Sequence, residues 1–113
     1  MPSNELDEPF QRLSVDEAKA KIDSGEVRVI DVRETDEYTS GHIPGAQHIP
    51  LNQILTKPTD VLSGDNLLFV CAVGQRSAVA AEMAAAVGSE HLYNLEGGTI
   101  AWIKSGNPVN TGA

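Results

Sequence analysis

The sequence is short of several things. It has one cysteine, Cys71, in 113 residues, which excludes an intramolecular disulfide and a multi-cysteine zinc site. Aromatic residues make up 4% of it, so a core must come from valine, isoleucine, leucine and alanine. Basic side chains number 8 against 16 acidic ones. The resulting formal charge of -8 argues against non-specific binding to nucleic acid or to an anionic membrane, which needs basic patches. Long apolar runs are lacking too. The clearest is Leu67-Leu68-Phe69-Val70, far below the roughly 18 residues of a membrane span. Residues 1–9 are acidic and proline-punctuated, with no basic and then apolar stretch of the kind that makes a secretory leader. They predict a frayed lead-in and a cytoplasmic protein, with a second frayed tail over 110–113. What is there is a length that suits one domain and enough aliphatic residues, within 41% hydrophobic, to bury a core.

Helix and strand signals alternate along the chain. Ser14-Val15-Asp16-Glu17 has the serine and glutamate of a capping box, which predicts a helix running through Ile22 to a stop at Gly25. Val27–Val32 is β-branched and mostly apolar, as in a strand buried on both faces. A short helix is expected over Thr35–Ser40, a turn at Ile43-Pro44-Gly45, a short strand over Gln47–Ile49 and one helical turn over Leu51–Leu55. Asn66–Val70 is the second apolar strand. Ser77–Val87 is the longest helix, with Val79, Met83 and Val87 on one face and Gly88 at its end. Leu92–Leu95 reads as a last strand and Ile100–Lys104 as a last helix. This order favours an α/β layered sandwich around a mainly parallel sheet, with ligands beyond the carboxyl ends of the strands.

Cys71 falls at such an end. The loop Cys71-Ala72-Val73-Gly74-Gln75-Arg76-Ser77 joins an apolar strand to the longest helix. Backbone N–H groups of a strand-to-helix loop form an anion cradle, and the helix dipole favours a thiolate. Gly74 permits a left-handed backbone, Arg76 adds a permanent charge for the thiolate and an anionic substrate, and Ser77 can cap the helix and donate into the loop. The alternative is a cysteine that only packs, since free cysteine is among the most buried residue types.

Four stretches together resemble a single-domain rhodanese. Asp31-Val32-Arg33-Glu34 with Glu37-Tyr38 is similar to the family's D-V-R-x-x-x-E-[YF], and Gly41 to Ala46 to its G-H-I-x-G-A. Cys71 to Ser77 resembles its C-x-x-G-x-R-S active loop. Leu95 to Trp102 and Gly106 to Val109 resemble its L-x-G-G-x-x-A-W and G-x-P-V ending. The likeness covers about residues 13–109. It implies a three-layer fold with a five-stranded parallel sheet, over a domain spanning 10–109. It also implies a thiosulfate sulfurtransferase that works through a persulfide on Cys71, with Ala72, Val73, Gly74, Gln75, Arg76 and Ser77 binding the substrate and neither metal nor organic cofactor. The implied partners are small sulfur-containing anions or thiols and a sulfur-acceptor protein.

Two departures bear on the substrate. Many thiosulfate-using members carry a basic residue directly after the cysteine, where this chain has Ala72. The mercaptopyruvate-specific relatives have a C-G-x-G loop, which Ala72 and Val73 do not match. A low-molecular-weight or protein persulfide therefore stands beside thiosulfate as donor, and a sulfur-relay role beside the enzyme. Related phosphatases and arsenate reductases have C-x5-R. Here four residues, Ala72 to Gln75, separate cysteine from arginine, a loop sized for a sulfur atom and not a phosphate.

Supporting roles are expected elsewhere. Asp31 closes an apolar strand, so its carboxylate needs hydrogen bonds or a cation and is expected to tie down neighbouring loops. Arg33 is expected to pair with Glu37, and His42 to satisfy backbone groups in its turn. His48 and His91 have no ligand-like spacing to each other or to Cys71. Gly97-Gly98 reads as a tight strand-to-helix turn and Trp102 as core.

Overall fold

Ser14 opens the first helix as its sequence predicts. Its hydroxyl accepts the N–H of Glu17, whose carboxylate in turn accepts the N–H of Ser14 at 2.9 Å. The computed structural model describes residues 8–62 and 64–112. Along them run β1 (Gln11–Leu13), α1 (Val15–Asp23), β2 (Arg28–Asp31), α2 (Thr35–Ser40), β3 (Gln47–His48), α3 (Leu51–Thr56) and α4 (Pro58–Val61). They are followed by β4 (Leu67–Val70), α5 (Gln75–Ala86), β5 (Leu92–Leu95) and α6 (Gly98–Lys104).

The strands form one five-stranded sheet in the order β1-β5-β4-β2-β3, and every neighbouring pair is parallel. From β2 the chain steps outward to β3; from β4 it steps outward the other way, to β5. The carboxyl ends of β2 and β4 therefore flank the point where strand order reverses, which is where open α/β sheets bind ligands. The register sets Asp31 opposite Val70, so the segments after these two strands leave the sheet side by side.

Side-chain alternation along β4 feeds two cores. Leu67 and Phe69 pack with Ile30, Ile54 and Ala80 under α3 and α5; Leu68 and Val70 pack with Val29, Ala18 and Trp102 under α1 and α6. Each fully buried aliphatic or Phe side chain contributes on the order of 1.5–3 kcal/mol. Helices thus cover both faces, giving the three-layer sandwich expected. The buried face of α5 is not the Val79 stripe that its sequence suggests. It is Ser77, Ala80, Ala81 and Ala84, and Val79 faces outward. Alanines win that face because they let the helix close in on the sheet.

Two elements escape a reading of the sequence. Edge strand β1 buries only Leu13 of its three residues, so it has no apolar run. Helix α4 is one turn, started by Pro58. Residues 1–7 of the predicted lead-in, and Ala113, lie outside the described residues. The predicted tail departs from expectation over 110–112. Asn110 and His42 exchange two backbone hydrogen bonds of 2.9 Å, and the Gly112 N–H donates to the Thr39 carbonyl at 2.8 Å. No helix among the described residues is long and apolar enough to cross a membrane.

Candidate active site

Cys71 continues the alternation of β4, so its side chain lies in the core under α5, with 0% of the residue exposed. The loop that follows is held from two sides. From α6, the Thr99 N–H donates to the Cys71 carbonyl at 2.8 Å and the Ile100 N–H to the Ala72 carbonyl at 3.1 Å. A trans peptide points its N–H opposite to its C=O, so these bonds turn the amides of Ala72 and Val73 away from α6. Gly98 makes the approach possible. A Cβ there would lie 2.4 Å from both the Cys71 and Ala72 carbonyl oxygens, at a φ of +60°.

The second hold comes through Gly74, which caps α5 at a φ of 101° and donates its N–H to Cys71 Sγ at 3.1 Å. The Ser77 hydroxyl lies 3.3 Å from the same sulfur. Burial pushes the Cys71 thiol up, but the Ser77 hydroxyl and the amides of Ser77, Gly74 and Val73 outweigh it and hold the thiol below its ordinary value. These are the amides and helix start that the sequence pointed to, with two corrections. Helix α5 starts at Gln75, two residues before Ser77, so Ser77 is inside the helix and does not cap it. Its hydroxyl instead also donates to Asn94 Oδ1. One hydroxyl proton can serve the sulfur or the amide, not both at once.

Asn94 is the residue that sequence reasoning missed. It is fully buried on β5, and its amide also donates to the Gly74 carbonyl at 3.0 Å. A polar side chain inside an apolar strand, Leu92-Tyr93-Asn94-Leu95, was the available signal, because such a group must find partners. Thr99, whose N–H holds the Cys71 carbonyl, has its hydroxyl buried without a hydrogen-bond partner.

The charged residues pair differently from expectation. Arg33 does not reach for Glu37. It folds back on Asp31, with Nη2 to Oδ2 at 2.8 Å and the Arg33 N–H to Oδ1 at 3.0 Å, and donates a further bond to the Gly41 carbonyl at 2.8 Å. Both partners are buried, so the pair satisfies two charges that would otherwise be costly and clamps the β2–α2 segment to the loop before His42. Glu37 is thereby left for Arg76, which it grips in a fork, Nη1–Oε1 2.8 Å and Nη2–Oε2 2.9 Å. Its carboxyl is held at about 2, chiefly by Arg76, which outweighs the opposing effect of burial, with further help from the Glu34 N–H. Arg76 thus stands beside the loop as predicted, with its charge already matched. Sequence offered two arginines for one glutamate, and only the tertiary register decides between them.

His42 Nδ1 donates to the Tyr38 carbonyl at 2.9 Å, and its ring stacks on Tyr38 at 3.8 Å; the His48 ring lies against Tyr38 at 4.4 Å. The three rings brace α2, and with it Glu37. Ala72 carries no charge, Val73 is half exposed, and Gln75 opens α5. Chemically the site is a buried thiol that amides and a hydroxyl hold below its ordinary value, and the thiolate is the form in which a cysteine acts as a nucleophile.

Comparison with known proteins agrees with this architecture. The description "Rhodanese-like domain" fits residues 14–105. A Bacillus subtilis protein named "Putative sulfur carrier protein YrkF" is 33% identical over 101 residues, covering 88% of this chain and 55% of its own length. The chain spans little more than half the length of the curated relatives it matches. A rhodanese-related protein from Thermoplasma volcanium is 31% identical with a TM-score of 0.77, over 88% of this chain and 96% of that one. A rhodanese-like domain protein from Staphylococcus aureus is 30% identical with a TM-score of 0.74, over 91% and 99%. With the family match covering most of the domain, and the parallel sheet and cysteine loop in place, the chain belongs to the rhodanese-like domain family.

Proposed function

We propose that the protein transfers sulfane sulfur through a persulfide on Cys71, from thiosulfate or another persulfide donor to a thiophilic acceptor. The Cys71 thiolate attacks the outer sulfur of the donor. The new Sγ–S bond forms as the donor's S–S bond breaks, and the electron pair leaves with sulfite or with the donor thiolate. The persulfide anion rests on the amides of the loop until cyanide, a thiol or a protein cysteine attacks its outer sulfur and returns the pair to Sγ. No external base is needed where the thiol already ionises readily. The observation that carries this reading is the Gly74 N–H at 3.1 Å from Sγ, with Ser77 at 3.3 Å, a cradle that favours an anionic sulfur. In this reading Cys71 is the nucleophile, residues 72–77 contact the migrating sulfur, and Asp31, Arg33, Glu37 and His42 support the loop.

The closely related second reading is a relay module that takes persulfide from one partner protein and hands it to another. The Arg76–Glu37 fork favours it, since a matched guanidinium attracts thiosulfate weakly. The name "Putative sulfur carrier protein YrkF" points the same way. Incubation with thiosulfate, intact mass for one added sulfur, then cyanide and a thiocyanate assay tests both readings. An adduct with fast thiocyanate release supports the enzyme, an adduct with slow release supports the relay, and no adduct with any sulfane donor sinks both. Cys71→Ser is expected to abolish adduct and turnover alike.

A further inference from the structure

We infer that the mouth of the Cys71 site is a docking surface for a basic, partly apolar protein segment that presents a cysteine, and not a port for free anions; this rests on the persulfide reading above. Two independent features carry it.

The first is the sign of the charge. Arg12 in β1, Arg33 after β2 and Arg76 in the first turn of α5 are each already bonded to a carboxylate: to Glu8 and Glu96, to Asp31, and to Glu37. Among the remaining cations, Lys19 and Lys21 pair with Asp23 and Glu26. Arg28 opens β2 at the opposite end of that strand, Lys57 follows α3, and Lys104 closes α6. Glu34 and Asp36, exposed at the start of α2 beside Glu37, have no basic side chain bonded to them among the described residues. The potential there is negative, so it slows a doubly charged anion such as thiosulfate and draws in a cationic partner.

The second feature is an apolar rim. Val73 in the loop is 52% exposed, Ile100 46% and Ile103 50%. The Ile100 N–H is bonded to the Ala72 carbonyl, so Val73 and Ile100 rise from adjoining backbone, and Ile103 carries the strip one turn along α6. Half-exposed aliphatic side chains on the cysteine loop and on the helix bonded to it suit the apolar centre of a transient interface, with the acidic start of α2 as its charged border. The transfer balances without a co-reactant. The partner thiolate attacks the outer sulfur, the Sγ–S bond breaks, the pair returns to Cys71, and the partner leaves as its own persulfide.

Three short peptides test this on Cys71 loaded from excess thiosulfate. Each has one central cysteine; the flanks are lysine and leucine, glutamate and leucine, or lysine and serine. Rates are normalised to each peptide's thiolate fraction. At low salt the lysine–leucine peptide is expected to take sulfur about tenfold faster, as kcat/KM, than its glutamate twin, and added salt is expected to close that gap. Replacing leucine by serine should raise KM. The Glu34→Gln, Asp36→Asn double variant should shrink the lysine–glutamate ratio, and Ile103→Ser, at a half-exposed position, should shrink the leucine–serine ratio. Equal, salt-independent rates for the lysine and glutamate peptides overturn the inference, as does an unchanged KM without leucine. If cyanide removes the sulfur but no peptide does, the docking surface falls and the persulfide reading stands. If cyanide removes none either, both fall.

Discussion

Arg76 and Glu37, 39 positions apart, meet fork to fork at 2.8 and 2.9 Å, and this contact converts the cation that follows the thiol loop into half of an ion pair. Both side chains are about one-third exposed, so the pair is still reached by solvent. Its consequence is more for substrate choice than for stability, because exposed pairs are worth little to folding.

Releasing Arg76 is therefore expected to improve the use of an anionic donor. Glu37→Gln should raise kcat/KM for thiosulfate by about fivefold, the equivalent of ~1 kcal/mol of recovered attraction. Thiocyanate formation in the presence of cyanide measures it. An unchanged or lower value would mean that Glu37 orients Arg76 for the anion and does not compete with it.

The same pair sets a sign for the dependence of stability on pH. The Glu37 carboxyl is held at about 2 when folded, below its value of 4.5 in an unperturbed chain. A depressed folded value adds stability that is complete above the unfolded value and is lost as pH falls towards the folded one. The stability difference between the parent and Glu37→Gln should thus be constant near neutrality and shrink from about pH 4.5 towards pH 2. Urea unfolding at a series of pH values checks it. A difference that grows on acidification contradicts the assignment.

Thiolate formation should depend on Ser77. Alkylation of Cys71 by iodoacetamide should follow a titration with its midpoint below the ordinary thiol range of about 8.5. Ser77→Ala should move that midpoint up, because the Ser77 hydroxyl is the strongest of the groups that hold the thiol down. A midpoint that stays put in a folded variant would assign the lowered thiol to the backbone amides alone.

Gly98 ties packing to chemistry. Gly98→Ala puts a methyl 2.4 Å from two carbonyl oxygens of the cysteine loop at a φ of +60°, so backbone must move. A loss of about 3 kcal/mol is expected, from overpacking and left-handed strain together. Gly25→Ala is the control, with a φ of +78° but nothing within 4 Å; it should lose only the strain, ~1 kcal/mol. Equal losses for the two would show that Gly98 makes no special contact.

Much of this was legible in the chain, and the reasons it was or was not are local. The capping box at Ser14, the aliphatic stretches of β2 and β4 and the glycines after α1, α2, α5 and α6 act within a few residues of themselves, so their elements fell close to where expected. The Val79 stripe misled because periodicity reports which residues share a face, not which face can approach a sheet most closely. Strand β1 was invisible because an edge strand with one buried residue has no pattern to show.

The sequence by itself determined the order of the elements other than β1 and α4, the layered parallel architecture, and the place of Cys71 before a glycine, an arginine and a helix start, since these depend mostly on near neighbours. Only the tertiary structure decided who pairs with whom. The pairing of β2 with β4 brings Glu37 to Arg76, while Arg33 turns back on Asp31, two residues before it. The packing of β5 and α6 brings Asn94 and Gly98 against a loop some twenty residues earlier. Charges and amides act through space, and distance in space is set by how the sheet assembles, which no stretch of the chain specifies alone.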